Sequence, residues 1–351
     1  MINASAVQNR AYRLRRRPVG APEAADLELS TEPVPPLEDG QALARTLYLS
    51  LDPTNRLWMS DMRQYSPPVE LGAVMRGIGI GEVVDSRHPD LPVGTLVSGY
   101  TDWQEYRVTG AGDDRPLAPL PSPLGAPLST YLGALGHTGL TAYIGLELIG
   151  GVHSGETLVV SAACGAVGSV VGQIAKARGA RVVGITGGAE KCGHLVGELG
   201  FDAAVDRRAA DWRDQLAAAT PDGIDVDFEN VGGEILDEIL MRMNFRGRIV
   251  LCGMISQYDN AGRDWEGQRN IGQILMQRLT VRGFIVSDEV ELFGPAAEYL
   301  ASLYAEGKLR HDETIVDGFD NALDALAGMF NGVNTGKLLV KVAEPSVTAG
   351  R

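Results

Sequence analysis

Apolar and polar positions along this chain follow two regimes. Up to about residue 126 the apolar runs are short and β-like. Ala42 to Leu51, Gly77 to Val84 and Thr95 to Ser98 are separated by turns rich in Gly and Pro. Near the start, Arg13, Arg15 and Arg17 alternate with Tyr12, Leu14 and Arg16, as on a first strand with solvated charges. Gly77, Gly79 and Gly81 recur at period two without the strand–turn–helix setting of a phosphate loop, which predicts a tight bend in a small barrel. The Pro-rich stretch Pro116 to Pro127 reads as a connection to a second domain.

Beyond it the pattern lengthens into β–α alternation. Ser129 to Ile149 is helical in pattern and Gly151 to Glu156 a turn. A strand Thr157 to Ser161 leads through a glycine turn into a helix carrying Val170, Val171, Ile174 and Ala175, which stops at Gly179. A strand Arg181 to Thr186, a helix Ala189 to Leu199 and a strand Ala203 to Asp206 follow. A helix Asp211 to Ala219, a strand Val226 to Glu229, a helix Glu234 to Met243 and a strand Arg248 to Cys252 complete the run. Near the end, a strand Glu313 to Val316, a helix Phe319 to Met329 and a strand Leu338 to Val342 precede a disordered-looking tail, Ala343 to Arg351. This alternation predicts an α/β fold with a mostly parallel, doubly wound sheet and a ligand at the carboxyl ends of its strands. That edge holds Asn230, Cys252-Gly253 and the loop Met254 to Asp259.

The turn Ala163-Cys164-Gly165-Ala166-Val167-Gly168 has the chemistry of a dinucleotide site. Gly165 lets the backbone approach a pyrophosphate, Gly168 lets the helix sit close on the strand, and the helix start offers N–H groups to the phosphates. Ala163 stands where the usual motif has its first glycine. An NAD site carries Asp or Glu about 20 residues further on. Here that place reads Thr186-Gly187-Gly188, with Lys191 beside it and Arg207 as a second cation, which predicts NADPH over NADH.

With 351 residues the chain is long enough for two domains. A formal net charge of −14 speaks against nucleic acid or an anionic membrane as partner. No apolar run reaches the length of a membrane span. Cys164, Cys192 and Cys252 are the only cysteines, which fits a reducing cytoplasm without disulfides. With no C-x-x-C pair, and no ligand spacing among His88, His137, His153, His194 and His311, no metal is expected. The Arg-rich, acid-free start is superficially like a transit peptide, but the strand reading suits it better.

The runs GHTGLTAYIGL (Gly136 to Leu146), SAACGAVGSVVGQIAK (Ser161 to Lys176), FENVGGE (Phe228 to Glu234), LCGMISQY (Leu251 to Tyr258) and NTGKLLVKV (Asn334 to Val342) resemble the zinc-independent medium-chain reductases. Within these they are most similar to the branch of prostaglandin reductases, plant double-bond reductases and curcumin reductases. LSLDPTNR (Leu49 to Arg56) and PPVELGAVMRG (Pro67 to Gly77) extend the likeness over nearly the whole chain. The resemblance implies a GroES-like β-barrel domain, residues 1–126 and 304–351, around a Rossmann NADPH-binding domain, residues 127–303. It further implies a homodimer that reduces the C=C bond of an α,β-unsaturated aldehyde or ketone.

By the same resemblance, Gly165, Ala166 and Val167 face the pyrophosphate and Lys191 holds the 2′-phosphate near Gly187. Asn230 and Cys252 lie along the ribose and nicotinamide. Tyr258 stands beside the nicotinamide, Phe284, Ile285 and Val286 offer backbone groups to its carboxamide, and Asn334 binds the phosphate bridge. Three departures from the branch stand out: Thr54-Asn55 where it often has Tyr-Met, His137-Thr138 for a common Met-Pro, and Arg207 for a frequent Tyr.

Hydride delivery to the β-carbon builds negative charge on the carbonyl oxygen, which needs a donor. Tyr258, with a cofactor ribose hydroxyl, is the candidate, since a phenol stays protonated at neutral pH. Cys252 reads as a packing residue, His137 as structural or a substrate contact, and water as the α-carbon's proton source. A quinone reductase of the same superfamily and a non-catalytic NADPH-binding protein remain the alternatives.

Overall fold

The computed structural model of the chain describes residues 7–260 and 267–346. The pocket loop expected from Asp259 to Gln268 therefore falls partly outside the described residues, as do the first six residues of the Arg-rich start and the last five of the tail. The chain divides into two compact units: residues 1–132, 314–333 and 338–351, and residues 133–313 with 334–337.

The first unit is built on antiparallel strands. β1 (Gln8–Leu14) pairs with β2 (Leu27–Pro33), Ala11 opposite Ser30. β1 keeps Leu14 fully buried while Arg10 and Arg13 reach outward to Glu105 and Glu32. β3 (Gln41–Leu51) ends at the short helix α1 (Thr54–Trp58), and β4 (Gly79–Ser86), β5 (Leu96–Gly99), β6 (Tyr106–Gly110) and β7 (Ala118–Pro119) follow.

The glycines at period two are not a bend. Gly79 and Gly81 lie within β4, whose register with β3 shifts between Thr46 and Tyr48, and backbone crowds both: a Cβ on Gly81 would lie 3.0 Å from the Arg45 carbonyl. A Cβ on Gly79 would sit 2.2 Å from Thr101 Oγ1 and 2.6 Å from the Tyr48 carbonyl, and one on Gly77 2.6 Å from the Trp103 ring. Glycine there lets the fully buried Trp103 close over the sheet, with Tyr12 against its edge at 5.9 Å.

The predicted single helix Ser129 to Ile149 is three pieces. A 3₁₀ turn (Leu128–Leu132) precedes α2 (His137–Gly145), whose last turn widens into a π-turn (Leu146–Gly150). The chain turns at residues 133–136, where the Gly136 and Gly139 N–H groups both reach the Gly133 carbonyl, and inside α2 a Cβ on Gly139 would sit 1.9 Å from the Ala134 carbonyl.

The second unit alternates β8 (Thr157–Ser161), α3 (Gly168–Ala177), β9 (Arg181–Thr186), α4 (Ala189–Gly197), β10 (Ala203–Asp206), α5 (Trp212–Ala219), β11 (Ile224–Glu229), α6 (Gly233–Leu240) and β12 (Met243–Leu251). α7 (Gly272–Gln277), β13 (Thr280–Gly283) and α8 (Phe293–Ala305) lie in a stretch to which the sequence pattern assigns no element. The strand order is β10-β9-β8-β11-β12-β13. Every recorded neighbour pair is parallel, the α/β arrangement expected. The order reverses between β8 and β11, so a crevice opens at their carboxyl ends. β8 is buried throughout, and Leu158 and Val160 enter one apolar core while Val159 enters the other, as a sheet covered on both faces demands.

β14 (Glu313–Asp317), α9 (Ala322–Phe330) and β15 (Lys337–Lys341) complete the chain, and the first unit's large sheet runs β14-β15-β3-β4-β5-β7. The start of the tail is tied down rather than loose. Arg45 donates to the Glu344 carbonyl at 2.7 Å, and the Ser346 N–H donates to Glu82 at 2.8 Å.

Candidate functional site in the parallel-sheet unit

The residues singled out at the carboxyl edge of the parallel sheet come together there, held by short-range hydrogen bonds between strands. Ser161, the last residue of β8, donates its hydroxyl to Glu229 Oε1 at 2.6 Å and accepts the Asn230 N–H at 2.7 Å. Asn230 Nδ2 donates back to the Ser161 carbonyl at 2.8 Å. The two sides of the switch point are thereby stitched by one Ser–Glu–Asn knot. The same Glu229 oxygen accepts the N–H groups of Val231 and Gly232.

From this knot the loop carrying Tyr258 is hung. The N–H of Ile255 donates to the Asn230 carbonyl and that of Ser256 to the Val231 carbonyl, both at 3.0 Å. The Tyr258 hydroxyl accepts the Met254 N–H at 3.2 Å and lies 3.1 Å from where a Cβ on Gly253 would be. Cys252 follows β12, its N–H donating to the Glu229 carbonyl at 2.9 Å. Burial pushes its thiol up to about 12, so it stands as a neutral packing group. Burial likewise raises the Cys164 thiol to about 11, despite the Lys191 charge.

The glycine turn itself is strained at an unexpected position. Ala162, not a glycine, takes a left-handed φ of 49°. The Gly165 N–H closes onto its carbonyl at 2.8 Å. Gly168 is needed for approach: a Cβ there would sit 2.6 Å from the Ala162 carbonyl. α3 has no side-chain N-cap. Among the described residues nothing accepts from the N–H groups of Ala166 and Val167, so the helix start presents open donors.

At the end of β9 the cations gather. A Cβ on Gly187 would lie 3.0 Å from Arg208 Nε and 3.6 Å from Arg207 Nε. Burial and then the charges of these two arginines lower the Lys191 pKa, against an opposing pull from Cys164. Arg208 is the member that sequence reading missed; its place directly after Arg207 on the β10 exit was the available signal. Asp206 is close by, but it accepts the N–H groups of Gly188 (2.7 Å) and Arg208 (2.9 Å), which hold its pKa low and hold the arginine loop in place.

A distant segment closes the arrangement. Lys191 Nζ donates to the Asn334 carbonyl at 2.6 Å, and the Gly336 N–H donates to the Cys164 carbonyl at 2.8 Å. Gly336, at φ 66°, could carry no side chain, since a Cβ would meet the Asp312 carbonyl at 1.9 Å. Phe284 packs edge-on to Phe228 at 6.5 Å, and the carbonyls of Ile285 and Val286 serve the 3₁₀ turn that follows. His137 opens α2, where its carbonyl accepts the Thr141 hydroxyl at 2.8 Å.

A family model described as the N-terminal domain of oxidoreductase matches residues 10–116, and one described as zinc-binding dehydrogenase matches residues 166–302. The chain is 43% identical to the NADPH-dependent curcumin reductase of Escherichia coli (strain K12), over 96% of this chain and 97% of that one. It is 39% identical to prostaglandin reductase 1 of Rattus norvegicus, over 95% and 99%. The crystal structure of CurA from Vibrio vulnificus in complex with NADPH matches with a TM-score of 0.90 at 41% identity, covering 96% of this chain and all of that one. The residues do not fit the metal in the second model's description: among those described, no group of three His, Cys, Asp or Glu is placed to hold a metal ion.

Proposed function

This chain belongs to the medium-chain dehydrogenase/reductase family, and from that premise we propose that it is an NADPH-dependent reductase of the C=C bond in α,β-unsaturated aldehydes and ketones. The observation that carries the cofactor half is the gathering of Lys191, Arg207 and Arg208 around Gly187, with Thr186-Gly187-Gly188 in place of an acid after β9 and the nearby Asp206 taken up by backbone N–H groups. A carboxylate would repel a 2′-phosphate, and three cations attract one.

NADPH, when bound, supplies the hydride. The chain's residues do the rest. The open N–H groups of Ala166 and Val167, beside the backbone at Gly165 that carries no Cβ, take the pyrophosphate at the start of α3. Lys191, Arg207 and Arg208 take the 2′-phosphate, and Asn334 the phosphate bridge. Asn230 and Cys252 line the ribose and nicotinamide, and the backbone from Phe284 through Ile285 to Val286 orients the carboxamide. Tyr258 donates its phenolic proton toward the carbonyl oxygen as enolate charge builds there. Accepting the Met254 N–H strengthens that hydroxyl as a donor, because hydrogen bonds in a chain polarise one another. A positioned donor of this kind is worth on the order of 3 kcal/mol.

The protein acts in the cytoplasm as a homodimer on a small-molecule enal or enone. The dimer reading is supported by β13, last in the parallel sheet, beside exposed Phe245, Leu275 and Met276. No helix among the described residues is long and apolar enough to cross a membrane.

The test is NADPH oxidation over a panel of enals, enones and quinones, with identification of the saturated carbonyl. Turnover of quinones alone makes it a quinone reductase; binding without oxidation of any makes it a non-catalytic NADPH-binding protein. Tyr258→Phe is expected to lower kcat/KM for an enone by about tenfold or more, and unchanged kinetics would remove Tyr258 from the mechanism.

A further inference from the structure

Lys191, the cation read as a 2′-phosphate ligand, stands on a weakly built helix. α4 has no side-chain N-cap, and of its residues only Leu195 is buried. Gly193 and Gly197 lie within it, and a Cβ on either would meet nothing within 4 Å, so no close approach calls for glycine there. Glycine in a helix loosens it. Lysine adds freedom of its own, as a point charge on a flexible four-carbon stem. A cation mounted in this way has to be held if it is to tell one cofactor from another.

Two ties hold it, one turn apart. Lys191 Nζ donates to the Asn334 carbonyl at 2.6 Å. Three residues on, His194 Nε2 lies 2.7 Å from Asp312 Oδ2. A carboxylate oxygen accepts, so Nε2 carries the hydrogen. Residues three apart share a helix face, which makes the two ties neighbours.

The far ends of the ties meet. The Asp312 carbonyl accepts the Lys337 N–H at 2.8 Å, and Asn334 Nδ2 donates to the Gly336 carbonyl at 2.9 Å. Asp312 stands on a fixed support. Two residues before it, Arg310 exchanges hydrogen bonds with the Gln173 side chain of α3, at 2.7 and 2.8 Å. The result is a closed circuit from α4 through His194, Asp312, Lys337, Asn334 and Lys191 back to α4, and it lies wholly within the second unit.

We propose that His194 and Asp312 are positioning residues for cofactor selection: their hydrogen bond clamps α4 to the segment Asn334–Lys337 and so fixes Lys191 where a 2′-phosphate meets it. The clamp rests on the reading of Lys191 as a 2′-phosphate ligand. Charge alone would give Asp312 the opposite effect. The Cys164 thiol in the glycine turn, raised first by burial, is raised further by the Asp312 charge, so that charge is felt where the phosphates are to lie. As a charge Asp312 opposes a bound phosphate; as a clamp it favours one.

Titration of the full-length protein with NADPH and with NADH, followed by nicotinamide fluorescence, tests this without turnover. His194→Ala is expected to raise the Kd for NADPH about fivefold and that for NADH by less than about twofold. His194→Gln keeps an N–H donor of similar reach and should stay within about twofold of wild type for both. Asp312→Ala should weaken NADPH binding as His194→Ala does. Asp312→Asn keeps the acceptor and drops the charge, and should bind NADPH at least as tightly as wild type. Adding His194→Ala to Lys191→Ala should change the NADPH Kd by less than about twofold, because the clamp acts through that lysine. Equal losses for the two cofactors in His194→Ala would make the pair merely structural and overturn the proposal. Tighter NADPH binding by Asp312→Ala, or a fully additive loss in the double variant, overturns it too. If Lys191→Ala alone leaves the preference for NADPH unchanged, the reading of Lys191 fails and the clamp with it. If that preference collapses in Lys191→Ala yet stays intact in His194→Ala, only the clamp fails. Should His194→Ala not fold, the contrast between Asp312→Ala and Asp312→Asn decides.

Discussion

The two cation clusters of this protein are made of similar side chains and do opposite things. Around Asp102 in the first unit, Arg107 and Arg115 sit against a buried carboxylate and hold a loop together. Around Gly187 in the second unit, Arg207 and Arg208 are exposed, and the nearest carboxylate, Asp206, is spent on backbone N–H groups. Where cations meet their acids, the charge is used up in the fold. Where the neighbouring acid is held by backbone N–H groups instead, the proposed partner of the cations is the 2′-phosphate of the cofactor.

The comparison can be broken most forcefully at Asp102. It is 3% exposed, takes a left-handed φ of 56°, and burial raises its carboxyl above the usual range even against two guanidinium groups. Asp102→Asn keeps a residue that tolerates this backbone but leaves Arg107 facing a neutral amide. Loss of about 3–5 kcal/mol in denaturant unfolding is expected, as for a buried pair stripped of one partner. A variant as stable as wild type would mean the pair is not structural.

The second cluster should respond in ligand binding and not in stability. Lys191→Ala combined with Arg208→Ala is expected to cost about 2–3 kcal/mol of NADPH binding, which is about 30- to 150-fold in Kd. NADH, lacking the 2′-phosphate, should weaken far less, and titration of both cofactors by fluorescence checks the ratio. An equal loss for the two would place these cations outside cofactor recognition.

A third, smaller effect sharpens the same distinction from the acidic side. Asp227 on β11 is fully buried between Val159 and Ile249 of the flanking strands, and neither of its carboxyl oxygens has a hydrogen-bond partner. Burial, then the neighbouring Glu229, raise its pKa well above the ordinary value. The unfolded chain therefore loses this proton first. The contribution of Asp227 is most favourable below about pH 4 and declines as pH rises toward its folded pKa. Asp227→Leu is expected to add about 1–3 kcal/mol at neutral pH and to flatten the acid side of the stability profile. Thermal melts from pH 4 to 8 that run parallel for the two proteins would contradict it.

Much of the parallel-sheet unit was legible because its strands are buried on both faces and read as unbroken apolar runs: Thr157 to Ser161, Arg181 to Thr186 and Ala203 to Asp206 were bounded as observed. α8 was missed although Ala296, Leu300 and Leu303 form its buried stripe, because Gly294 and Pro295 at its start look like a turn. β13 gave no signal at all: as an edge strand, three of its four residues are exposed and the period-two contrast vanishes. Glycines misled most. Those at Gly77, Gly79 and Gly81 answer to a tryptophan and a carbonyl far along the chain, and no spacing rule contains that information. At the site, Lys191 was readable from the strand end it follows, while the knot of Ser161, Glu229 and Asn230 was not, because it joins two strands 68 residues apart.

The segment Asn334–Lys337 belongs to the second unit although some twenty residues of the first precede it. Its carbonyl on Lys191 and its N–H on Cys164 form one lip of the glycine turn. A recombinant piece ending at residue 313 would therefore keep every strand of the parallel sheet and all three cations, yet arrive with that lip missing. Whoever wishes to study nucleotide capture in isolation has to graft the four-residue return on, or work with the uncut polypeptide.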